Sequence, residues 1–140
     1  MKIFLIILMA VVYPAFGKAQ NMDEQAIKNI LAAQTISWNS GNVEKFMQGY
    51  WQNDSLVFIG KSVTHGWQQT LDNYKKNYPD TVAMGKLDFN ILQVKKLSDI
   101  YYFVIGKWHL LRSIGDLQGH FSLVFQKISG HWFIIADHSS

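Results

Sequence analysis

The chain of 140 residues contains no cysteine. Its fold therefore cannot depend on disulfide bonds, even in an oxidising compartment, and no lipid can be attached at a cysteine. The sequence also lacks a long hydrophobic run, because its most apolar stretch, Ile3 to Val12, has only ten residues. Such a stretch is too short to span a bilayer, so we expect no stable membrane insertion.

Clusters of charge and of metal ligands are missing as well. The five histidines are scattered, without the helical i, i+4 pair or the cysteine partners that make a metal signal strong. No basic run favours nucleic acid as a partner. The sequence therefore predicts neither a metal site nor a cofactor, and no contact with nucleic acid.

The start of the chain has the pattern of a secretory signal. A short basic start precedes the apolar run, and the small residues Ala15, Gly17 and Ala19 suit cleavage before Lys18 or Gln20. We expect a signal peptide over residues 1–19, a mature domain over residues 20–140 and a secreted or periplasmic location. Loss of Lys2 and Lys18 would reduce the 13 Lys and Arg to 11, against 10 Asp and Glu, so the mature domain is nearly neutral.

Three amphipathic helices are predicted in the first half of the mature domain. Their apolar residues recur at i, i+3, i+4 and i+7 over Ile27 to Trp38, Val43 to Tyr50 and Trp67 to Tyr78. Gly41 suits the end of the first helix, Asn42 suits the N-cap of the second, and Pro79 stops the third. A small hairpin is predicted between the second and third helices, from Ser55 to Thr64.

Four long strands are predicted after Gly85, which gives an α+β architecture. Apolar and polar residues alternate there, and the turns Ser98-Asp99, Gly115-Asp116 and Ser129-Gly130 divide the segment. If these turns are two-residue loops, they fix the register. The predicted pairs include Phe89 with Trp108, Trp108 with Leu123, Arg112 with Gly119, Leu123 with Ala136, Phe121 with His138 and Ile128 with His131.

This register gives the sheet an inward face with the composition of a pocket lining. The face collects Trp108, Leu110, Arg112, Phe121, Leu123, Phe125, Trp132, Ile134 and His138. Arg112 is a candidate cation for a carboxylate, phenolate or enolate, although it could instead pair with Asp80 or cap a carbonyl. His138 is a candidate acid or base, or a structural histidine. The predicted ligand-binding residues are Tyr50, Trp67, Tyr74, Trp108, Arg112, Phe121 and His138.

The outward face of the predicted sheet is unusually apolar. It carries Leu92, Val94, Tyr101, Phe103, Ile105, Leu111, Val124, Phe133 and Ile135. A solvated sheet face is mostly polar, so a patch this broad indicates a covering partner. Because no helix remains to cover it, we predict a two-fold homodimer that packs sheet against sheet. The same register places the carboxylates of Asp88 and Asp137 outward.

Several motifs resemble the nuclear transport factor 2-like superfamily, whose cone-shaped α+β folds include ketosteroid isomerase and SnoaL-like polyketide cyclases. The first half offers Trp38-Asn-x-Gly41 and Phe46-Met47. The likeness is closest to the group called domain of unknown function 4440, through Tyr78-Pro79-Asp80, Gly106-x-Trp108-x-Leu110-x-Arg112 and Asp137-His138-x-Ser140. The resemblance implies a curved, four- to six-stranded antiparallel sheet wrapped around three N-terminal helices. It implies little about activity, because the superfamily hosts enzymes, binding proteins and association modules.

Three functions remain open from the sequence. The first is binding, without turnover, of a small apolar molecule that bears an anionic or carbonyl group. The second is an isomerase, cyclase or dehydratase in which His138 transfers protons and Arg112 stabilises an oxyanion. The third is a dimeric association module with a filled cone. Ketosteroid isomerases need carboxyl groups on the pocket wall, and the predicted inward face has none, which argues against that reaction.

Overall fold

The computed structural model describes residues 16–140, so the predicted apolar signal run lies outside the described residues. The helices are α1 (Phe16–Asn39), α2 (Val43–Phe46, continued by a 3-10 helix at Met47–Gly49), α3 (Trp67–Asn77) and α4 (Thr81–Met84). The strands are β1 (Val57–Ile59), β2 (Val63–His65), β3 (Lys86–Lys96), β4 (Tyr101–Leu111), β5 (Leu117–Ile128) and β6 (His131–Ser139). Both predicted cleavage positions fall in the first turns of α1. No helix of the described part is long and apolar enough to cross a membrane.

The three predicted helices are confirmed, and their ends follow the expected local chemistry. Gly41, two residues after the end of α1, adopts a φ of 77°, a conformation that glycine reaches without strain. The Asn42 side chain caps α2 by accepting a hydrogen bond from the Lys45 backbone N–H at 2.8 Å. Helix α4 was not predicted. Its four residues depend on Asp80, whose Oδ1 accepts from the Ala83 N–H at 2.8 Å.

One curved sheet contains all six strands, in the order β2-β1-β6-β5-β4-β3. The predicted α+β class and the cone-like arrangement of sheet and helices are confirmed. Four of the five neighbouring pairs are antiparallel, but β1 runs parallel to β6, so the prediction of a fully antiparallel sheet is wrong for that pair. The small hairpin formed by β1 and β2 thus continues the sheet beyond its last strand in sequence.

Helix α1 is fastened to the sheet at both ends. Near its N-terminal half, Asp23 Oδ1 accepts hydrogen bonds from Lys127 Nζ and Trp132 Nε1, each at 3.0 Å. At its C-terminal end, the Asn39 side chain bonds both backbone groups of Leu87, at 3.1 and 2.7 Å. Between these ends, Ile27, Leu31 and Trp38 enter the hydrophobic core with the inward residues Tyr102, Val104, Leu123, Phe125 and Ile134. The helix thereby covers the concave face.

Two β-bulges reverse the alternation of side chains within a strand. In β3, Leu92 has no partner in β4, because Ile91 pairs with Gly106 and the next pair is Gln93 with Ile105. Beyond this bulge the predicted facing is wrong. Val94 packs against the core instead of lying outside, while Gln93 and Lys95 are exposed. The bulge also restores the predicted pairing of Phe89 with Trp108.

The loop between β4 and β5 is longer than predicted. It spans residues 112–116, so Trp108 pairs with Gly119 rather than with Leu123, and Arg112 lies outside the strand. The register differs by four residues from the prediction. Because four is even, each side chain of β4 and β5 keeps its predicted face. The pairing of Ile128 with His131 is confirmed.

Candidate functional site

The second bulge decides which residues of β6 face the cone. Phe125 pairs with Ile134 and Val124 with Ala136, so Ile135 is an extra residue. Past this point odd-numbered residues face inward: Asp137 is only 4% exposed, whereas His138 is exposed on the outer face. The predicted inward position of His138 and the predicted outward position of Asp137 are therefore both wrong. An extra residue turns every following side chain to the other face.

Asp137 is held on the inner face by two short hydrogen bonds. The Tyr50 hydroxyl donates to Oδ2 at 2.7 Å, and the Ser139 hydroxyl donates to Oδ1 at 2.7 Å. Tyr50 reaches Asp137 because it follows the 3-10 helix and forms a bridge with Ile134 of β6. Strand β1 pairs with the edge of β6 that faces away from β5, and Phe58 of β1 is the partner of Asp137.

Burial dominates the electrostatics of this group. It raises the pKa of Asp137 to about 6, and the hydrogen bonds from Tyr50 and Ser139 offset only part of that effect. Burial, with the nearby charge of Asp137, also raises the pKa of Tyr50 and that of Tyr74 far above the ordinary value. The two phenols therefore stay protonated, while the carboxyl changes charge close to neutral pH.

Aromatic side chains surround the carboxyl. Tyr74 makes edge contacts with Trp38, Phe46 and Phe58, with ring centroids 5.8, 5.4 and 5.6 Å apart. On the sheet side, Phe89 and Phe121 meet at 5.3 Å. Several inward residues nevertheless keep contact with solvent, and we call the end of the sheet where they lie the mouth of the cone. These half-buried residues are Phe58, Tyr74, Tyr78, Phe89, Trp108 and Ser139.

Ser139 connects the buried carboxyl with this mouth. When Asp137 is ionised, the Ser139 hydroxyl donates to it, as the structure shows. When Asp137 is protonated, its own O–H can donate to Ser139 Oγ, because a hydroxyl rotates freely and has two acceptor lone pairs. The Ser139 proton is then free for another acceptor. The pair can thus present either a donor or an acceptor at the mouth, according to pH.

The structure brings five of the predicted ligand-binding residues into or against one hydrophobic core. These residues are Tyr50, Trp67, Tyr74, Trp108 and Phe121. Trp67 has a different role: its indole N–H donates to the Met47 carbonyl at 2.9 Å and anchors the first turn of α3.

Arg112 fastens a loop and does not meet His138. Its Nε donates to the Gly115 carbonyl at 2.7 Å and its Nη1 to the Ala83 carbonyl at 3.2 Å. Because Ala83 belongs to α4, the guanidinium lies on the helix side of the sheet, where its positive charge lowers the pKa of Tyr78 against the larger raising effect of burial. His138 lies on the other side. The predicted pocket in which these two residues converge is wrong, because it depended on an unbulged β6.

Sequence reasoning missed Asp137 and Ser139 as inward residues. One signal was present: Trp132 to Ala136 form five successive apolar residues, which a strictly alternating strand does not require. Such a run in a half-exposed strand is compatible with a bulge. It does not show where the extra residue lies, so the face of the final residues could not be read from it.

The outer face carries a polar groove of about 420 Å³ at one end of the sheet. Its outward side chains are Asp88, Asn90, Lys107, His109, Gln118 and His120. Charges of both signs meet here, and His109 Nε2 lies 2.9 Å from Asp116 Oδ2. Within residues 16–140, no group of three or more His, Cys, Asp or Glu could hold a metal ion.

Comparisons with known proteins place this geometry in a wider group. No family model and no curated protein matches the chain. Among solved structures, a nuclear transport factor 2-like protein of unknown function from Shewanella oneidensis is 41% identical, with a TM-score of 0.81 over 84% of this chain and 98% of that chain.

Two more distant structures share the fold. A domain of unknown function with a cystatin-like fold from Nostoc punctiforme is 16% identical, with a TM-score of 0.72 over 85% of this chain and 76% of that chain. A ketosteroid isomerase-like protein from Erwinia carotovora is 14% identical, with a TM-score of 0.65 over 83% of this chain and 93% of that chain. The narrower likeness to domain of unknown function 4440 stays a prediction. The identity and coverage of the Shewanella protein show that the chain belongs to the nuclear transport factor 2-like family.

Proposed function

We propose that the cone binds a small, largely apolar molecule through one carbonyl oxygen, with Ser139 and Asp137 at the polar end of the site. The observation that carries this proposal is the buried carboxyl of Asp137, hydrogen-bonded to Tyr50 and to the half-buried Ser139. The half-buried aromatic residues at the mouth suit the apolar body of such a ligand. A neutral carbonyl is favoured over an anion, because an ionised Asp137 repels negative charge.

The energetic cost of Asp137 supports a functional role. With a pKa near 6, keeping this carboxyl ionised above neutral pH costs about 3 kcal/mol relative to an Asp in the unfolded chain. A polar residue that served only to pair with Tyr50 would not need an ionisable group. Ionisable groups with displaced pKa values cluster at functional sites.

The pH dependence of ligand affinity tests the proposal. Methyl naphthyl ketone and naphthalene share an apolar body, and only the ketone has an acceptor oxygen. We expect the ketone to bind more tightly below about pH 6, where Ser139 can donate, and to lose about tenfold in affinity by about pH 8. Asp137→Asn should abolish this pH dependence. His138→Gln, one position along on the outer face, is the matched control and should keep it.

Equal affinity for the ketone and naphthalene at every pH would contradict the proposal. Isothermal titration or tryptophan fluorescence gives the affinities. Circular dichroism of each variant shows whether the fold is retained.

A second candidate is an isomerase in which Asp137 transfers the proton. The inward carboxyl removes the sequence-based argument against this reaction, and a ketosteroid isomerase-like protein shares the fold. The Asp137 carboxylate would take a proton from the carbon between the carbonyl and an alkene, and return it to the far alkene carbon. The intervening enolate oxygen would accept a hydrogen bond from a mouth hydroxyl. Turnover of an unconjugated cyclohexenone should then rise with pH through about 6 and vanish in Asp137→Asn.

The dimer and the export of the chain are further proposals. The outward residues Tyr101, Phe103, Val124 and Phe133 are half-buried at most, and no helix of residues 16–140 covers them, which supports a partner at this face.

The signal-like start supports export to the periplasm or the medium. N-terminal sequencing of exported protein should find Lys18 or Gln20 first.

A further inference from the structure

The indole N–H of Trp108 is a buried hydrogen-bond donor without an acceptor. Among the described residues, the buried side-chain polar atoms that lack a partner are Trp108 Nε1 and Tyr102 Oη. Other tryptophans of this chain do not share this property. Trp38, Trp67 and Trp132 donate to Met84, Met47 and Asp23 at 3.1, 2.9 and 3.0 Å. A buried donor with no acceptor has lost its water without compensation, so it marks a place where an acceptor is missing.

The indole nitrogen of Trp108 lies over β5, close to the end of β6. Trp108 is on the inner side of β4, opposite Gly119 of β5. Its Nε1 lies 3.0 Å from the position that a Cβ on Gly119 would occupy, so the indole extends over the backbone of β5. The next inward pair of β5 and β6 is Phe121 with Ser139. The donor therefore lies on the same side of the sheet, and in the neighbouring row, as the Ser139 hydroxyl.

One protein acceptor lies nearby. The Ser140 backbone oxygen also approaches Gly119 and accepts the His120 backbone N–H at 3.0 Å, but it forms no hydrogen bond with Trp108 Nε1. The second orphan donor, Tyr102, is fully buried and lies six positions away along β4, on the side of Lys96 and Asp23. Trp108 is half-buried and also lines the 420 Å³ groove at this end of the sheet, so its side chain is open to molecules from outside.

We propose that Trp108 Nε1 is the second donor to the ligand oxygen, which is then held between the indole N–H and the Ser139 hydroxyl. This inference rests on the proposed function and defines its ligand class more narrowly. A carbonyl oxygen has two lone pairs and can accept both hydrogen bonds. Ketones, aldehydes and esters fit this arrangement, whereas hydrocarbons and amines of the same shape do not. Trp108 is thus a specificity residue, independent of the protonation of Asp137.

The test removes the N–H without changing the shape of the ring. Incorporation of benzothienylalanine at position 108 replaces the indole nitrogen by sulfur and keeps a bicyclic side chain. We expect the affinity for methyl naphthyl ketone to fall about tenfold and the affinity for naphthalene to stay unchanged. In the wild type, nitrogen–proton spectra should show the Trp108 indole resonance moving with the ketone but not with naphthalene. The Trp38 indole, already bonded to Met84, is the internal reference.

The outcomes separate this inference from the proposed function. A ketone preference that depends on Asp137 and pH but survives the sulfur replacement, with no shift of the Trp108 resonance, overturns the role of Trp108 alone. A ligand-free crystal structure in which the Trp108 indole N–H donates to Ser140 would overturn it too. If the ketone does not bind better than naphthalene, or does not bind at all, the proposed function and this inference both fail.

Discussion

Asp137 and His138 are neighbours in sequence with opposite surroundings. The Asp137 carboxyl is enclosed by Tyr50, Ser139 and aromatic rings, whereas His138 is exposed beside Ser122 on the outer face. Burial displaces the pKa of the first toward neutrality, because the interior disfavours its charge more than the two hydrogen bonds favour it. The ionisable group that lies inside the cone is therefore the Asp137 carboxyl, while the His138 imidazole lies on the outer face.

At this scale we predict that Asp137→Asn stabilises the protein at alkaline pH. Asp137 has a pKa of about 6 in the fold, above the roughly 3.9 of an unfolded Asp, so the folded state binds the proton more tightly. Its contribution to stability is greatest below about pH 4 and is lost as pH rises through 6. The free energy of unfolding of the variant should exceed that of the wild type by up to about 3 kcal/mol near pH 8, and the two should differ little near pH 4.

Urea unfolding across this pH range measures the effect. Asp88→Asn, which removes the same charge from the exposed outer face, is the control and should show no such trend. Parallel pH dependence in the wild type and in Asp137→Asn would mean that Asp137 titrates as it does in the unfolded chain.

At the scale of elements, the facing of the site is set by two bulges and one loop. The loop over residues 112–116 moved the β4–β5 register by an even number of residues and left the inner face intact. The bulges at Leu92 and Ile135 each add one residue, so they exchange the faces beyond them. A register shift by an odd number of residues therefore changes which side chains face the site, whereas a shift by an even number does not.

Deletion of Ile135 tests whether the bulge in β6 determines which of the following side chains face inward. Without the extra residue, β6 would alternate regularly, and His138 would turn into the core while Asp137 turned out. We expect the free energy of unfolding to fall by several kcal/mol, because an imidazole would replace the carboxyl beside Tyr50 and leave buried polar groups unpaired. Ile135→Ala keeps the residue count and should cost less, about 1–2 kcal/mol. Equal stability of the deletion and substitution variants would show that the bulge does not fix the faces.

At the scale of the whole molecule, the sheet separates two surfaces. The inner surface is covered by α1 to α3, and the outer one has an apolar part around Phe103 and Phe133 beside the polar groove. An apolar sheet face of this kind is usually covered by a partner. In a symmetric pair the same patch would serve both protomers.

Phe103→Asp is predicted to disrupt the proposed dimer. A carboxylate in the apolar patch would be desolvated without a partner, which costs several kcal/mol at an interface. Sedimentation velocity should show a dimer for the wild type and a monomer for the variant. Asn90→Asp adds the same charge to the polar end of the same face and should leave the dimer intact. A wild type that sediments as a stable monomer at micromolar concentration would contradict the proposal.

The sequence by itself determined the elements other than α4, the α+β class and the family resemblance. Apolar spacing, caps such as Asn42 and turns such as Ser129-Gly130 are local signals, and each acts within a few residues. It also determined that Tyr50, Tyr74, Trp108 and Phe121 lie inside, because even shifts and helical spacing preserve their faces.

Only the tertiary structure decided that Asp137 faces the cone, that His138 does not, and that Arg112 fastens a loop. An extra residue in a strand carries no reliable local signature. Its position depends on how β6 fits between β5 and β1, with Tyr50 bridged to Ile134 from the helical side. The parallel pairing of β1 with β6 likewise joins segments far apart in the chain. Contacts of this kind are chosen by packing across the whole sheet, so the chemistry of the site follows from the fold and not from the pattern of any one strand.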